Sequence, residues 1–279
     1  MQNFLIIGGD LRQSFLAELL KKQGNTAAVY PAEETSCITF EEAVNQADVL
    51  LCPVPFTKNQ KTIFSLSGRE DLTIERLIGS LKKGCILFGG PLPPEVKAAC
   101  RAREALCYDY MEMEEITIKN AVATAEGAIA EAIRLSPLNL HKSPCLVLGY
   151  GRCGKILAQK LKGMDADVTI MARRQDQRAL GEACGFRSLA PDELAGVISR
   201  FLFVFNTVPC KLLDQAAVSR MNSEVSIIDI ASAPGGTDFK ACSQAKLRAV
   251  LCPGLPGNYS PESSAEILYE AVRSRLQIN

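Results

Sequence analysis

Tryptophan is absent, histidine occurs once, at position 141, and aromatic residues make up only 6% of the 279 positions. A single histidine leaves a zinc site without its usual nitrogen ligands, and none of the eleven cysteines stands in a C-x-x-C pair, so no metal site is expected. Charge of either sign in excess is missing too. Lys plus Arg equals Asp plus Glu at 31 each, which removes the electrostatic case for a nucleic-acid or anionic-membrane partner. No apolar run approaches bilayer length. The opening "MQNFLIIGGDLRQ" stops at Gly8 without a basic leader or a small-residue cleavage site, which predicts a soluble, untargeted chain of the cytoplasm. An odd cysteine count fits a reducing compartment, and Cys52, Cys85, Cys145 and Cys252, set inside apolar runs, behave as small hydrophobes.

What is present is alternation. Apolar runs of strand length, "NFLII", "AAVY", "DVLLC", "CILF" and "ALCY", then "CLVLG", "VTIMA", "FLFVFN", "VSIID" and "RAVLC", alternate with helical patterns. Continuous rather than alternating hydrophobicity means strands covered on both faces, the mark of parallel sheets flanked by helices. The fold class is therefore α/β, with two doubly wound Rossmann-like domains joined by a long helix. The first spans residues 1–118 and is completed by a C-terminal helix over 261–279, with Ser260 as its cap and Pro261 at its first position. The alanine-rich joining helix spans 119–136 and ends before Pro137. The second domain spans 137–260.

In the second domain, Gly149, Gly151 and Gly154 form G-x-G-x-x-G between a strand and a helix. The first glycine allows the tight turn, the second the approach of a pyrophosphate, the third close packing of helix on strand. The helix N-terminus then offers N–H groups and the positive end of its dipole to phosphates. Tyr150, Arg152 and Cys153 complete this loop. Where an acid ordinarily binds the ribose hydroxyls, the sequence has Arg173 and Arg174, with Arg178 one turn on. Cations there suit a 2′-phosphate, so the expected cofactor is NADP.

Other strand ends point to the same crevice, since ligands of open α/β sheets bind beyond the carboxyl ends of the strands. Asn206, Thr207, Val208 and Pro209 are expected by the nicotinamide ribose. Asp229 to Ser232 and the Gly235-Gly236 turn would border the ring, and residues 253–257 would close the floor. The first domain opens on a related turn, Gly8-Gly9-Asp10, but Gln13 stands at the third glycine position, so that half is assigned no nucleotide and is expected to hold substrate. Arg12, at the start of its first helix, is the expected bidentate grip on a substrate carboxylate, assisted by backbone donors of the turn. The substrate is expected to meet the nicotinamide in the cleft between the domains.

The stretches "IGGDLRQ", "NAVATAEGAIAEAI", "GYGRCGKILAQ", "ARRQDQRA", "FNTVP", "DIASAPGGTDF" and "LPG" together resemble, nearly end to end, the family formed by the A subunits of dipicolinate synthase. The resemblance implies NADP-dependent oxidation of a dihydrodipicolinate-type precursor to pyridine-2,6-dicarboxylate in the mother cell of a sporulating bacterium. It also implies a small dicarboxylate substrate and, as partner, a flavoprotein-like B subunit, with association of several copies of this chain left open. The chain departs from the family pattern after Tyr30, where "PAEETS" lacks a glycine-and-aromatic turn, and after "LPG", at Ser260 and Ser263. Such an oxidation asks for a hydride acceptor, orientation and a modest proton acceptor. Glu126 in the joining helix is the candidate acceptor, and Ser232 the candidate to orient a carboxylate. His141 precedes the fingerprint strand instead of ending a strand, which disfavours a histidine-based 2-hydroxy-acid dehydrogenase. Two other readings stand beside this one: another NADP-linked amino-acid or imine dehydrogenase, and a protein that binds NADP while its partner does the chemistry.

Overall fold

The structure, a computed structural model, describes residues 2–31 and 38–278. The departure noted at "PAEETS" therefore lies, from residue 32 onward, outside the described residues. The chain divides into two compact units, Met1–Asn120 with Ser260–Asn279, and Ala121–Tyr259.

The first unit runs β1 (Asn3–Ile7), α1 (Leu11–Lys22), β2 (Thr26–Tyr30), α2 (Phe40–Gln46), β3 (Val49–Leu51), α3 (Ile74–Ser80), β4 (Ile86–Gly89), α4 (Pro94–Ala102) and β5 (Leu106–Asp109). Its five strands are all parallel, in the order β2-β1-β3-β4-β5. That is a doubly wound order whose direction of winding reverses between β1 and β3. The apolar run of β1 shows why such strands read as uninterrupted hydrophobic stretches. Leu5 and Ile7 point into one core with Phe40, Leu50 and Leu87, while Phe4 and Ile6 point into the other with Leu16, Leu20 and Val49. Side chains alternate across the pleat and both faces are covered. Each large apolar side chain buried in this way contributes roughly 1.5–3 kcal/mol. Helix α1 starts on a capping box between Asp10 and Gln13 and ends on Lys21 and Lys22, charges that suit the two ends of its dipole and caps.

Helix α5 (Glu114–Leu135) joins the units along the chain. It begins earlier than the sequence suggests, because Glu114 and Glu115 supply an acidic first turn. The second unit continues with β6 (Pro144–Leu148), α6 (Arg152–Gly163), β7 (Asp167–Met171), α7 (Gln175–Ala183), β8 (Arg187–Leu189) and α8 (Leu194–Val197). After these come β9 (Phe203–Asn206), α9 (Gln215–Val218), β10 (Ser226–Asp229), α10 (Phe239–Gln244), β11 (Arg248–Leu251) and α11 (Leu255–Tyr259). The six parallel strands are ordered β11-β10-β9-β6-β7-β8, the Rossmann order read from one edge to the other. Alternation again splits single strands between two cores: Cys145 and Val147 enter one, Leu146 and Leu148 the other. Small residues on α5 serve packing, since a Cβ on Gly127 would lie 2.9 Å from the Leu255 side chain. The chain then returns to the first unit through α12 (Pro261–Leu276), whose Ala265, Leu268 and Val272 pack with Leu16 and Leu20 of α1. Ser260 occupies the capping position, but its side chain makes no cap hydrogen bond.

The edge strand β8 has no clear mark in the sequence, because "RSL" is three residues long with one apolar member. The ten described cysteines are free thiols. Burial pushes the thiols of Cys145 and Cys252 up to about 12, so they stay protonated and pack as hydrophobes. Among the described residues no three His, Cys, Asp or Glu side chains gather as a metal site, and no helix is long and apolar enough to cross a membrane.

Candidate functional site

The glycine turn of the second unit has a steric reason at two of its three glycines. Gly149 follows β6 at φ +92°, a conformation that side chains other than glycine rarely adopt, and its N–H donates to the carbonyl of Met171 over 2.9 Å. A Cβ there would come within 2.4 Å of Thr207 Oγ1. A Cβ on Gly154 would lie 2.1 Å from the backbone oxygen of Gly149, so α6 can approach β6 this closely only without one. Gly151, by contrast, faces open space and caps α6 with no side-chain hydrogen bond. The first turn of a helix of twelve residues thus points its backbone donors at a place a ligand can enter. Gly154→Ala is expected to cost roughly 1–3 kcal/mol through overpacking and to weaken dinucleotide binding. Thermal melting with a cofactor titration checks this; unchanged values for both would mean the helix can retreat freely.

A cavity of about 480 Å³ adjoins this turn, lined by residues 149–151, 171–174 and 207–210 together with Gln177, Pro191 and Leu212. Of the three arginines, the structure gives each a different position. Arg174 also lines the cavity, but its fork is closed on Asp176, with Nε 2.9 Å from Oδ1. Arg178 reaches back along the chain and donates from Nη1 to the carbonyls of Ala172 (2.8 Å) and Arg173 (2.9 Å), bracing the end of β7. Arg173 lines the cavity, is exposed, and makes no ion pair or side-chain hydrogen bond among the described residues. The loop's own side chains are split as well. Tyr150 is buried edge-on against Phe186, with ring centroids 6.1 Å apart, and burial, with the Cys184 thiol beside it, pushes its phenol up to about 12. It offers the cavity its backbone. Arg152 is exposed at the first position of α6, while the thiol of Cys153 is raised by burial.

The ends of β9 and β10 form one buried polar hub. Asp229 is 0% exposed. Its Oδ1 accepts from Asn206 Nδ2 (3.0 Å) and Ala231 N (3.1 Å), and its Oδ2 from Gly236 N (2.8 Å) and Thr237 Oγ1 (2.7 Å). Asn206 in turn donates to the carbonyl of Val208 and accepts from its N–H (3.0 and 3.1 Å). Asp229 and Asn206 therefore do not face a ligand, as their places at strand ends suggest; their polar atoms are consumed in locking two loops together. Thr207, Val208 and Pro209 do line the cavity, with Thr207 Oγ1 donating to the carbonyl of Leu148 (2.9 Å). Gly236 lets the second loop lie against the first: a Cβ there would meet Cys210 O at 2.4 Å. Sequence reasoning misses Thr237, whose bond partner is fixed only by the fold, and Pro191, which follows the weakly marked strand β8.

The structure places the three expected catalytic residues in different settings. Arg12 is 3% exposed, and its fork is already closed: Nε donates to Asp10 Oδ1 (2.8 Å), Nη2 to Asp10 Oδ2 (2.7 Å) and to the carbonyl of Val54. The backbone donors expected to assist it are spent too. Gly9 N–H donates to Phe64 O (2.6 Å), Gly8 N–H to Tyr30 O (2.9 Å), and Asp10 N–H to Gln13 Oε1 (3.2 Å). Glu126 is a surface residue of α5, 54% exposed and paired with Lys160 of α6 at 2.7 Å; it does not line the cavity. Ser232 is exposed, and what it contributes is its carbonyl, which accepts from Gly235 N–H (2.9 Å).

Comparison with known proteins adds two family matches. Residues 3–111 match the N-terminal domain of the dipicolinate synthase A subunit, and residues 114–236 match the NAD binding domain of D-isomer specific 2-hydroxyacid dehydrogenases. The chain is 28% identical over 286 residues to the A subunit of dipicolinate synthase from Bacillus subtilis (strain 168), covering 97% of this chain and 94% of that protein. The crystal structure of the corresponding protein from Bacillus halodurans superposes with a TM-score of 0.86 at 26% identity, covering 99% of this chain and 97% of that one. The crystal structure from Bacillus subtilis gives 0.85 at 27%, covering 99% and 96%.

Proposed function

We propose, for a chain similar over its whole length to the A subunit of dipicolinate synthase, that it is an NADP-dependent oxidoreductase converting a dihydrodipicolinate-type precursor to pyridine-2,6-dicarboxylate. A dehydrogenase-type nicotinamide dinucleotide domain is what the second unit resembles, and its residues suit that cofactor. The observation that carries the choice of NADP is Arg173, a cation with no anionic partner among the described residues. It lines the cavity beside the glycine turn, at the place where an acid would otherwise hold two ribose hydroxyls.

In this reading NADP, when bound, supplies the hydride acceptor. The N–H groups of the first turn of α6 and the open face of Gly151 receive the pyrophosphate. Arg173 pairs with the 2′-phosphate, and Arg178 holds the backbone that carries it. Thr207, Val208 and Pro209, fixed from behind by the Asn206–Asp229 hub, form the wall along which the rest of the cofactor is oriented. Orientation is much of what the step needs, because a dihydropyridine that gives a hydride to NADP and a ring proton to solvent water becomes an aromatic product. The partner in this reading is a flavoprotein-like B subunit; the setting is the mother cell of a sporulating bacterium.

Arg173→Ala is expected to weaken NADP binding by about 1–3 kcal/mol, or roughly 5- to 150-fold, and NAD binding much less. Equal losses for both cofactors would remove the 2′-phosphate role. The function itself is tested by mixing the purified chain and its B subunit with enzymatically generated precursor and NADP, and following dipicolinate by its absorbance. No product with either nicotinamide cofactor would overturn the reading.

A further inference from the structure

The connection between β3 and α3, residues 52–73, is far longer than the roughly 2–6 residues such a connection ordinarily takes, and it is built as an ordered structure. Asn59 Oδ1 accepts from the N–H groups of Lys61 and Thr62 (2.9 Å each), and Thr57 Oγ1 accepts from Gln60 N–H (3.0 Å). Ile63 N–H donates to Leu72 O (2.7 Å) and Phe64 N–H to Phe56 O (2.8 Å). Its far limb pairs with the turn after β1 through a bridge between Gly9 and Ser65. The connection therefore sits over the point where the winding of the first sheet reverses, between β1 and β3, the place where open α/β sheets receive ligands. In doing so it fills the anion site the Gly8-Gly9 turn would otherwise offer, and it forms a cavity of its own.

That cavity, about 260 Å³, is lined by residues 58, 59, 62–65 and 68–70. Its lining carries Lys58, Arg69 and Glu70, and neither Lys58 nor Glu70 makes an ion pair among the described residues. Arg69 is bidentate to Asp71 (2.8 and 2.7 Å). Lys58 has no carboxylate partner among the described residues and stands with Nζ 3.8 Å from the centroid of the Phe64 ring. An ammonium over an aromatic face keeps donors for a further acceptor, and Phe64 adds a flat apolar surface, while the hydroxyls of Thr62 and Ser65 on the same lining are bonded to Asn59 and Ser67.

We propose that this cavity is a carboxylate subsite for a small planar dicarboxylate, with Lys58 as its cation. The class of ligand rests on the function proposed above; the site itself rests on the cavity, its position at the sheet's reversal point and a lysine that makes no ion pair among the described residues. Arg12, the cation the sequence suggested for this task, is buried and already paired, which leaves Lys58 to take it.

The test uses the full chain with pyridine-2,6-dicarboxylate as the probe and pyridine-2,6-dicarboxamide as its uncharged counterpart, both titrated by calorimetry. Lys58→Met, which keeps the apolar stem over Phe64, is expected to weaken dicarboxylate binding on the order of ten- to a hundred-fold. Lys58→Arg should restore part of it, while the diamide binds weakly to all three proteins. NADP affinity and melting temperature should stay at their wild-type values. Equal dicarboxylate affinity for wild type and Lys58→Met, or no dicarboxylate binding by a wild type that binds NADP, would overturn the proposal. A lysine-dependent dicarboxylate affinity in a chain that forms no product with either cofactor supports the subsite and removes only the proposed reaction.

Discussion

Asp229→Ala is expected to lower the stability of the second unit by about 3–5 kcal/mol, because it strands several buried donors at once. The methyl group accepts nothing, so Asn206 Nδ2, Ala231 N, Gly236 N and Thr237 Oγ1 each lose the partner they now share. Asn206 keeps its bonds to Val208, so the damage should be greatest in the second loop, residues 230–237. Asp229→Asn separates shape from hydrogen bonding. Its amide keeps one acceptor, but its new donor faces N–H groups, and an intermediate loss of about 1–3 kcal/mol is expected. Because the hub braces the cavity wall at residues 207–210, both variants should also bind NADP and NAD more weakly, in parallel. Chemical denaturation and cofactor titration measure the two effects. An Ala variant as stable as wild type would show that the loops hold without the hub.

Arg12→Ala should cost the first unit about 3–5 kcal/mol, since removing one member of a buried ion pair leaves the other uncompensated. For a unit of this size that corresponds to a melting temperature lower by roughly 6–20 °C. Two attachments go together: the fork on Asp10, which caps α1, and the bond to the carbonyl of Val54, which ties the connection after β3 to the turn after β1. Arg12→Lys keeps the charge but cannot reproduce the planar fork, and is expected to lose more than half as much. NADP affinity should not change, as Arg12 belongs to the other unit. A variant with wild-type melting and a raised KM for the precursor would instead return Arg12 to the role its position in "GGDLRQ" suggests.

The elements were legible because their signals are local. Each uninterrupted apolar run became a strand with its side chains divided between two cores, and G-x-G-x-x-G sat between β6 and α6 with Gly149 and Gly154 under the constraints the motif names. The strand "RSL" escaped because an edge strand of three residues has too little apolar pattern to show.

The sequence by itself determined the α/β class, the glycine turn and the arginines at the end of β7, since hydrophobic periodicity and backbone sterics are written within a few residues of where they act. Only the tertiary structure decided which polar side chains remain available. Arg12, Asn206 and Asp229 all stand at strand ends or helix starts, where ligands bind, yet their neighbours Asp10 and Val208, the pairing of Asn206 with Asp229, and Val54, Gly236 and Thr237 from elsewhere in the chain consume their polar atoms. Arg173 and Arg174 are adjacent in sequence, and one is left open while the other is closed on Asp176. Lys58, unremarkable in a polar stretch, gains its place because the connection carrying it folds back over the turn after β1. A buried polar group must find a partner, and which partner it finds depends on segments that meet only when the chain is folded.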